Sequence, residues 1–323
     1  MSNEEIASAV VDEIVADVLG RASTAQIRPM TSGSSTPVYR LTHAGTVLYL
    51  RFAEHPAHGL AAEVAVHTLL RAKGVRVPEV LHFEPHDERA GRAWMLITEI
   101  PGGPVDALAT EATVANVYTA AGRDLALVNS IEVRGFGWIA RDDADLDTPI
   151  QGTDATYAEF VHPEGAVERL TQVGLTPAEL DLVEALLADE VTSGPRGGTG
   201  RLVHGDIDLP HVFQCDGRYT GLIDFGEIRG ADGLYDLAEF ALHLDDPERA
   251  RAYQYLERGY ADVTPLPSDY ERRLTQLAAS IIVERINRWL PRIGTHNVLT
   301  KPFPRWNIAR LRDILATSTV RPR

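Results

Sequence analysis

Apolar residues near the start of the chain recur every fourth position, at Ile6, Val10, Ile14 and Val18, and Gly20 stands where a helix would stop. This spacing predicts an amphipathic helix over 4–20. Near residue 27 the period changes. "PVYRLTHAGTVLYLRF" (37–52) sets strand-forming residues on either side of "HAG", which predicts a β-hairpin. Helical spacing returns in "GLAAEVAVHTLLRAKGV" (59–75), and "VRVPEVLHFE" and "WMLITEI" then read as strands.

"PGGP" (101–104) is strong punctuation and marks a hinge. Beyond it, "VANVYTAAGRDLALVNSI", "PAELDLVEALLADEV" and residues 246–261, 268–290 and 303–317 are helical in pattern, with the connector "TSGPRGGTG" at 192–200. The plan is α+β and two-lobed: a β-rich lobe over 1–100, a hinge at 101–104 and a mostly helical lobe over 105–323.

Composition narrows the function classes. The single cysteine, Cys215, excludes an internal disulfide framework and points to a reducing compartment. No run approaches the roughly 18 apolar residues of a membrane span, and "MSNEEIASAV" lacks the features of a signal peptide. The expectation is a cytoplasmic protein without a membrane partner. A net charge of −15 repels a phosphate backbone, which argues against a nucleic-acid partner and suits a cationic small molecule.

The densest chemistry lies in "LVHGDIDLPHVFQCDGRYTGLIDFGEIRG" (202–230), with His204, Asp206, Asp208, His211 and Asp224 close in sequence. Such a set serves as a metal cage, a phosphotransfer loop or a polar turn. "RLV" and "YTGLI" read as strands, so Asp206 and Asp224 follow strand ends, with "CDG" as the turn that brings them close. Phosphoryl transfer needs one carboxylate to accept a hydrogen bond from the attacking hydroxyl and others to hold magnesium against the phosphates.

"HGDIDLPHVF", "GLIDFGE" and "YDLAEF" together resemble the signature of the aminoglycoside phosphotransferase and choline kinase-like family. The resemblance covers about residues 25–290 and implies a protein-kinase-like fold, ATP or GTP as phosphate donor and Mg2+ as cofactor. It assigns Asp206 as catalytic base, Asp224 as magnesium ligand, His204 as the structural histidine of the loop and Asp236 as a buried carboxylate bracing it. The family usually carries Asn five positions after the catalytic Asp, where this chain has His211; the macrolide kinases of the family carry His there. Magnesium prefers oxygen donors, so His211 either touches the metal, bonds a metal-bound water or marks a weakened site.

A kinase also needs a phosphate loop and a basic residue with an acidic partner. "MTSGSSTPVYRL" (30–41) supplies a small-residue turn with the hydroxyls of Ser34, Ser35 and Thr36. Arg51 stands where the family has its phosphate-binding lysine, and Glu63 on the following helix is its natural partner. Glu99 and Ile100, before the hinge, are expected to meet the nucleobase through backbone groups.

The substrate side is expected to include Asp208, Glu227, Glu284, Asn287, Arg288 and Trp289. The resulting reading is phosphorylation of a hydroxyl on a small molecule: an antibiotic of cationic aminoglycoside type, matching the charge, or of macrolide type, matching His211. Housekeeping metabolite kinases share these features. A nucleotide-binding protein with weak catalysis and a metallohydrolase built on His204, Asp206, Asp208 and His211 are the rivals.

Overall fold

The structure is a computed structural model that describes residues 6–20, 24–30, 36–55, 59–139 and 150–318. Its described residues divide into two compact units, which are taken in turn. Unit 1 comprises the described residues up to 105, residue 150 and residues 210–224; unit 2 comprises 106–139, 151–209 and 225–318.

The centre of unit 1 is an antiparallel sheet of β1 (Gln26–Pro29), β2 (Val38–His43), β3 (Thr46–Phe52), β4 (Val80–Asp87) and β5 (Arg92–Thr98), in the order β1-β2-β3-β5-β4. Side chains alternate between the faces of a strand, and here both faces are covered. Leu48, Leu50, Phe52, Trp94 and Leu96 pack against Val11, Ile14 and Val15 of α1 (Ser8–Leu19). Met95 and Ile97 point the other way, joining Leu60 and Val64 at the start of α2 (Ala61–Ala72). This double cover explains why β5 is buried along nearly its whole length.

The expected hairpin forms: β2 and β3 pair from Val38–Arg51 to His43–Thr46, turned by Ala44 and Gly45, both at positive φ. One strand starts later than its pattern suggested. Residues 75–79 form no ladder, because Pro78 has no N–H and the carbonyls of Val77 and Pro78 are taken by Arg71 and His67 of α2. A second sheet in unit 1 joins β6 (Gly103–Pro104), β11 (Val212–Cys215) and β12 (Arg218–Leu222) in the order β12-β11-β6. The turn "CDG" therefore closes the β11–β12 hairpin, and the "RLV" strand is no part of it.

Unit 2 holds that strand, β10 (Thr199–Val203), in a sheet with β7 (Glu132–Arg134), β8 (Phe136–Ile139), β9 (Gly152–Asp154) and β13 (Arg229–Ala231), ordered β7-β10-β13-β8-β9. Its helices are α3 (Glu111–Val128), α4 (Tyr157–Val161), α5 (Pro177–Ser193), α6 (Tyr235–Ala241), α7 (Pro247–Ala261), α8 (Tyr270–Thr300) and α9 (Pro302–Thr317). Helices α3 and α7 touch backbone to backbone. A Cβ on Gly122 would fall 2.0 Å from the Leu256 carbonyl oxygen, and one on Gly259 2.0 Å from that of Thr119. Helix α8 runs past the expected stop at 290 but breaks at Gly294, three residues after Pro291. Among the described residues no helix is long and apolar enough to cross a membrane.

Candidate active site

In unit 2 the chain leaves the sheet at the buried Leu202 and Val203, where Val203 pairs with Arg229 of β13. The next two backbone N–H groups, of His204 and Gly205, donate to Asp236 Oδ2 and Oδ1, each at 2.9 Å. Asn129, which caps α3, donates from Nδ2 to the same Oδ2 at 2.8 Å and to the Leu202 carbonyl at 2.9 Å. Burial pushes the Asp236 carboxyl pKa up, while the Asn129, Gly205 and His204 donors favour its charged form.

Gly205 sits at φ +80°, and a Cβ there would come within 2.0 Å of the Glu227 carbonyl oxygen. Only glycine fits. The Asp206 N–H donates to His204 Nδ1 at 3.3 Å, which leaves the ring proton of a neutral imidazole on Nε2. The His204 ring packs 4.5 Å from that of Phe225. The backbone leading to Asp206 is thus held by a buried carboxylate, a buried amide and a close glycine contact.

In unit 1, strand alternation puts Arg51 on the face of β3 opposite Leu50 and Phe52. That face is covered by α2, whose first turn carries Glu63. Arg51 Nη1 meets Glu63 Oε2 at 3.1 Å, with side chains 12 % and 4 % exposed. The other terminal nitrogen, Nη2, lies 4.0 Å from Asp224 Oδ1, and Asp224 Oδ2 lies 3.7 Å from His211 Nε2. Asp224 has φ +67°, uncommon for a residue with a side chain. Its neighbour Ile223 is fixed by an N–H bond to the His211 carbonyl at 3.1 Å. The Asp224 side chain is 52 % exposed, so this strained position presents a carboxylate to solvent between a guanidinium and an imidazole.

Residues 26–274 match the family model for the phosphotransferase enzyme family (APH). The chain belongs to this family. Among solved structures it is similar to aminoglycoside phosphotransferase APH(4)-Ia, with TM-score 0.70 and 16 % identity, over 97 % of this chain and 99 % of that one. A thermostable mutant of APH(4)-Ia in ternary complex with ADP and hygromycin B gives TM-score 0.69 and 17 % identity, over 96 % and 99 %. A protein of Thermobifida fusca YX-ER1 described as a candidate fructosamine-3-kinase gives 0.61 and 18 %, over 93 % and 99 %. At such identities the likeness is one of fold, and the protein-kinase-like α+β fold expected from the sequence is the fold of this chain. A 62-residue stretch is 34 % identical to the uncharacterized protein YcbJ of Bacillus subtilis (strain 168), spanning 19 % of this chain and only 20 % of that relative.

Within the phosphotransferase fold, the donor set at Asp224 fits a divalent cation: an exposed hard oxygen ligand, with an imidazole nitrogen beside it. Among the described residues no group of three or more His, Cys, Asp or Glu side chains is placed to hold a metal. A kinase site asks less, since phosphates and water complete the shell around one or two protein ligands. Of the residues expected at the phosphates, Ser34 and Ser35 lie outside the described residues; Thr36 is half-buried just before β2. Glu99 directs its carboxylate to Tyr49 (3.5 Å) and Arg40 (3.7 Å).

The expected substrate residues separate. Glu227, Glu284 and Arg288 come together: Arg288 Nη1 and Arg229 Nη2 each bond Glu227 Oε2 at 2.7 Å, and Arg229 Nη1 lies 3.4 Å from Glu284 Oε2. Asp208 is elsewhere, with Oδ1 at 2.5 Å from Arg249 Nη2. Asn287 is occupied by the 166–169 segment, accepting from Arg169 Nε and donating to the Ala166 carbonyl at 3.1 Å. Trp289 packs edge-on against Phe303.

Three positions escaped the sequence reading. Asn129 carried no motif; its only signal is a polar residue closing an apolar helix. Arg229, two residues past the "DFGE" turn, is buried with its guanidinium 4.2 Å from the Trp138 ring centroid. Trp138 lies in "GFGW" (135–138), whose last three residues belong to strand β8.

Proposed function

We propose that this family member is a nucleotide-dependent phosphotransferase that moves the terminal phosphoryl group of ATP or GTP to a hydroxyl of a small molecule. The observation that carries the reading is the Arg51–Glu63 pair at 3.1 Å with Asp224 on the far side of the same guanidinium. A guanidinium so held presents a planar fork suited to phosphate oxygens. Asp206 accepts the proton of the attacking hydroxyl, and the Asp236–Asn129 brace keeps its backbone in place. Asp224 and His211 would hold magnesium, which supplies neutralisation of phosphate charge when bound. Glu99 and Ile100 would meet the nucleobase through backbone groups, and Thr36 would join Ser34 and Ser35 at the phosphates. Antibiotics and metabolites both fall within the acceptor class.

Calorimetric titration of the full chain with the magnesium–ATP and magnesium–GTP complexes tests this reading. Asp224→Ala should abolish magnesium-dependent binding of the nucleotide that the native protein takes. Unchanged binding in the variant would remove Asp224 from the nucleotide site.

A further inference from the structure

Arg229 belongs to none of the motifs that point to phosphotransfer, yet it is a fully enclosed side chain, standing on β13. Every nitrogen of its guanidinium is held. Nε donates to the Glu227 carbonyl at 3.3 Å and Nη2 to Glu227 Oε2 at 2.7 Å. Nη1 donates to the Tyr235 hydroxyl at 2.8 Å and to Glu284 Oε2 at 3.4 Å. The Trp138 ring of β8 covers the guanidinium, with its centroid 4.2 Å from the central carbon. One side chain thus grips Glu227 twice, by its backbone carbonyl and by its carboxylate.

That grip reaches the loop carrying Asp206. Phe225–Glu227 form a single 3-10 turn, and the turn lies against His204 and Gly205. The Phe225 ring packs 4.5 Å from the His204 ring. A Cβ on Gly205 would meet the Glu227 carbonyl oxygen at 2.0 Å and Arg229 Nε at 3.4 Å. Through its backbone, Arg229 also pairs with Val203, the residue before His204. Asp236 holds the loop by its N–H groups; the turn closed by Arg229 holds it by the His204 ring and the Gly205 backbone.

Packing alone does not ask for an arginine here. Taking a guanidinium out of water is costly, and apolar side chains of like volume often serve stability as well as a buried ion pair does. Nor does its removal strand a charge: Glu227 keeps Arg288 at 2.7 Å and Glu284 keeps it at 3.8 Å, and both acids are partly exposed. What arginine supplies is direction, since its rigid fork fixes several acceptors at once, whereas the ammonium of lysine is a point charge. We propose that Arg229 is a positioning residue of the phosphotransfer reaction. It clamps the Phe225–Glu227 turn onto His204 and Gly205, and so fixes the backbone of Asp206 and the aim of the Glu227 carboxylate. This rests on the phosphotransferase reading and adds to it a residue that acts through others.

The test compares the native full chain with Arg229→Met and Arg229→Lys, which keep the length of the side chain, the second also its charge. Three quantities are read. Calorimetry gives the affinity for magnesium–ATP or magnesium–GTP, whichever the native protein takes. Hydrolysis of that nucleotide at saturation gives turnover per mole of folded protein. Mass spectrometry gives amide hydrogen exchange over residues 202–209 and over α7. Both variants should bind the nucleotide about as tightly as native protein and hydrolyse it about ten- to a hundredfold more slowly, the scale of a small misplacement of a reacting group. Exchange should rise over 202–209 and stay native over α7. Tyr235→Phe removes one fixed point of Arg229 at nearly constant volume and should raise exchange over 202–209 by less, which keeps the test open if an arginine variant fails to fold. Leu186→Ala, a cavity in the core at α5, should lower stability and leave turnover of the folded protein native. Native turnover in folded Arg229→Met, full recovery in Arg229→Lys, unchanged exchange over 202–209, or an equal loss of turnover in Leu186→Ala would overturn the proposal. Where the native chain binds nucleotide without measurable hydrolysis, the exchange arm alone decides. If the native chain binds no nucleotide, the phosphotransferase reading falls, and the exchange arm still decides whether Arg229 holds the loop.

Discussion

Removing Arg51 should do two separable things. Its guanidinium lies 3.1 Å from the Glu63 carboxylate, and Glu63 is 3 % exposed at the start of α2. In Arg51→Ala that buried carboxylate loses its countercharge, a perturbation that typically costs about 3–5 kcal/mol when one partner of a buried pair is removed. The helix N-terminus recovers a part of this, roughly 0.5–1 kcal/mol, so a net loss of about 2–4 kcal/mol is expected. Glu63→Gln should cost less, about 1–2 kcal/mol, because Arg51 is more exposed and keeps Asp224 at 4.0 Å. The double variant strands no charge and should be no less stable than Arg51→Ala alone, which leaves a coupling of about 1–2 kcal/mol in the cycle. Nucleotide binding should fall about tenfold to a hundredfold in Arg51→Ala, the worth of one charge-assisted bidentate contact. Adding Glu63→Gln should lower it little further. Urea unfolding of the four proteins gives the stability cycle, and calorimetric titration with the magnesium–nucleotide complex gives the binding cycle. Fully additive penalties in both would refute the claim that the two residues act as one device.

Two further outcomes follow from buried groups of unit 2. Asn129→Ala should destabilise by about 2–4 kcal/mol, for two buried bonds of which one reaches a carboxylate, and should lower kcat more than it changes KM; native kcat in a stable variant would show that the Asp236 brace does not need Asn129. Glu190 and Asp232 share one guanidinium, Arg273, at 3.2 and 2.8 Å, and burial raises the Glu190 pKa to about 7. Because the folded state holds this proton more tightly than the unfolded chain, the stabilisation is full below about 4.5 and is lost as pH rises through about 7, an amplitude of about 3 kcal/mol. Melting curves across that range should show the fall, and Glu190→Gln should flatten it.

Much of this arrangement was legible in the chain because its signals are local. The strand-forming run at 46–52 predicted β3 and helical spacing predicted the helix that carries Glu63, while the choice of Arg51 and Glu63 as partners came from the family resemblance. The "HGD" and "IDFG" motifs carried Asp206 and Asp224 because the chemistry constrains residue type and spacing together. What the sequence hid depends on long-range pairing. The "RLV" strand was joined in expectation to the Asp224 hairpin, yet β10 pairs with β7 and β13, partners far away in the chain. Asn129 reaches Asp236 across 107 positions, a distance at which no pattern operates. The acidic composition suggested a cationic substrate, but overall charge does not reveal that arginines of α7 and α8 compensate Asp208, Glu227 and Glu284 one by one.

The most direct test of the central claim compares native protein with Asp206→Asn. Each is incubated with magnesium, nucleotide and hydroxylated acceptors, both cationic and uncharged, and phosphorylated acceptor is followed by mass spectrometry. The substitution keeps size and hydrogen bonding and removes the base, whose help is typically worth about 10²–10⁴ in rate. The account expects acceptor-dependent phosphate transfer by the native chain, and in the variant a turnover lower by that factor with nucleotide affinity retained. Native-level transfer by Asp206→Asn would contradict it.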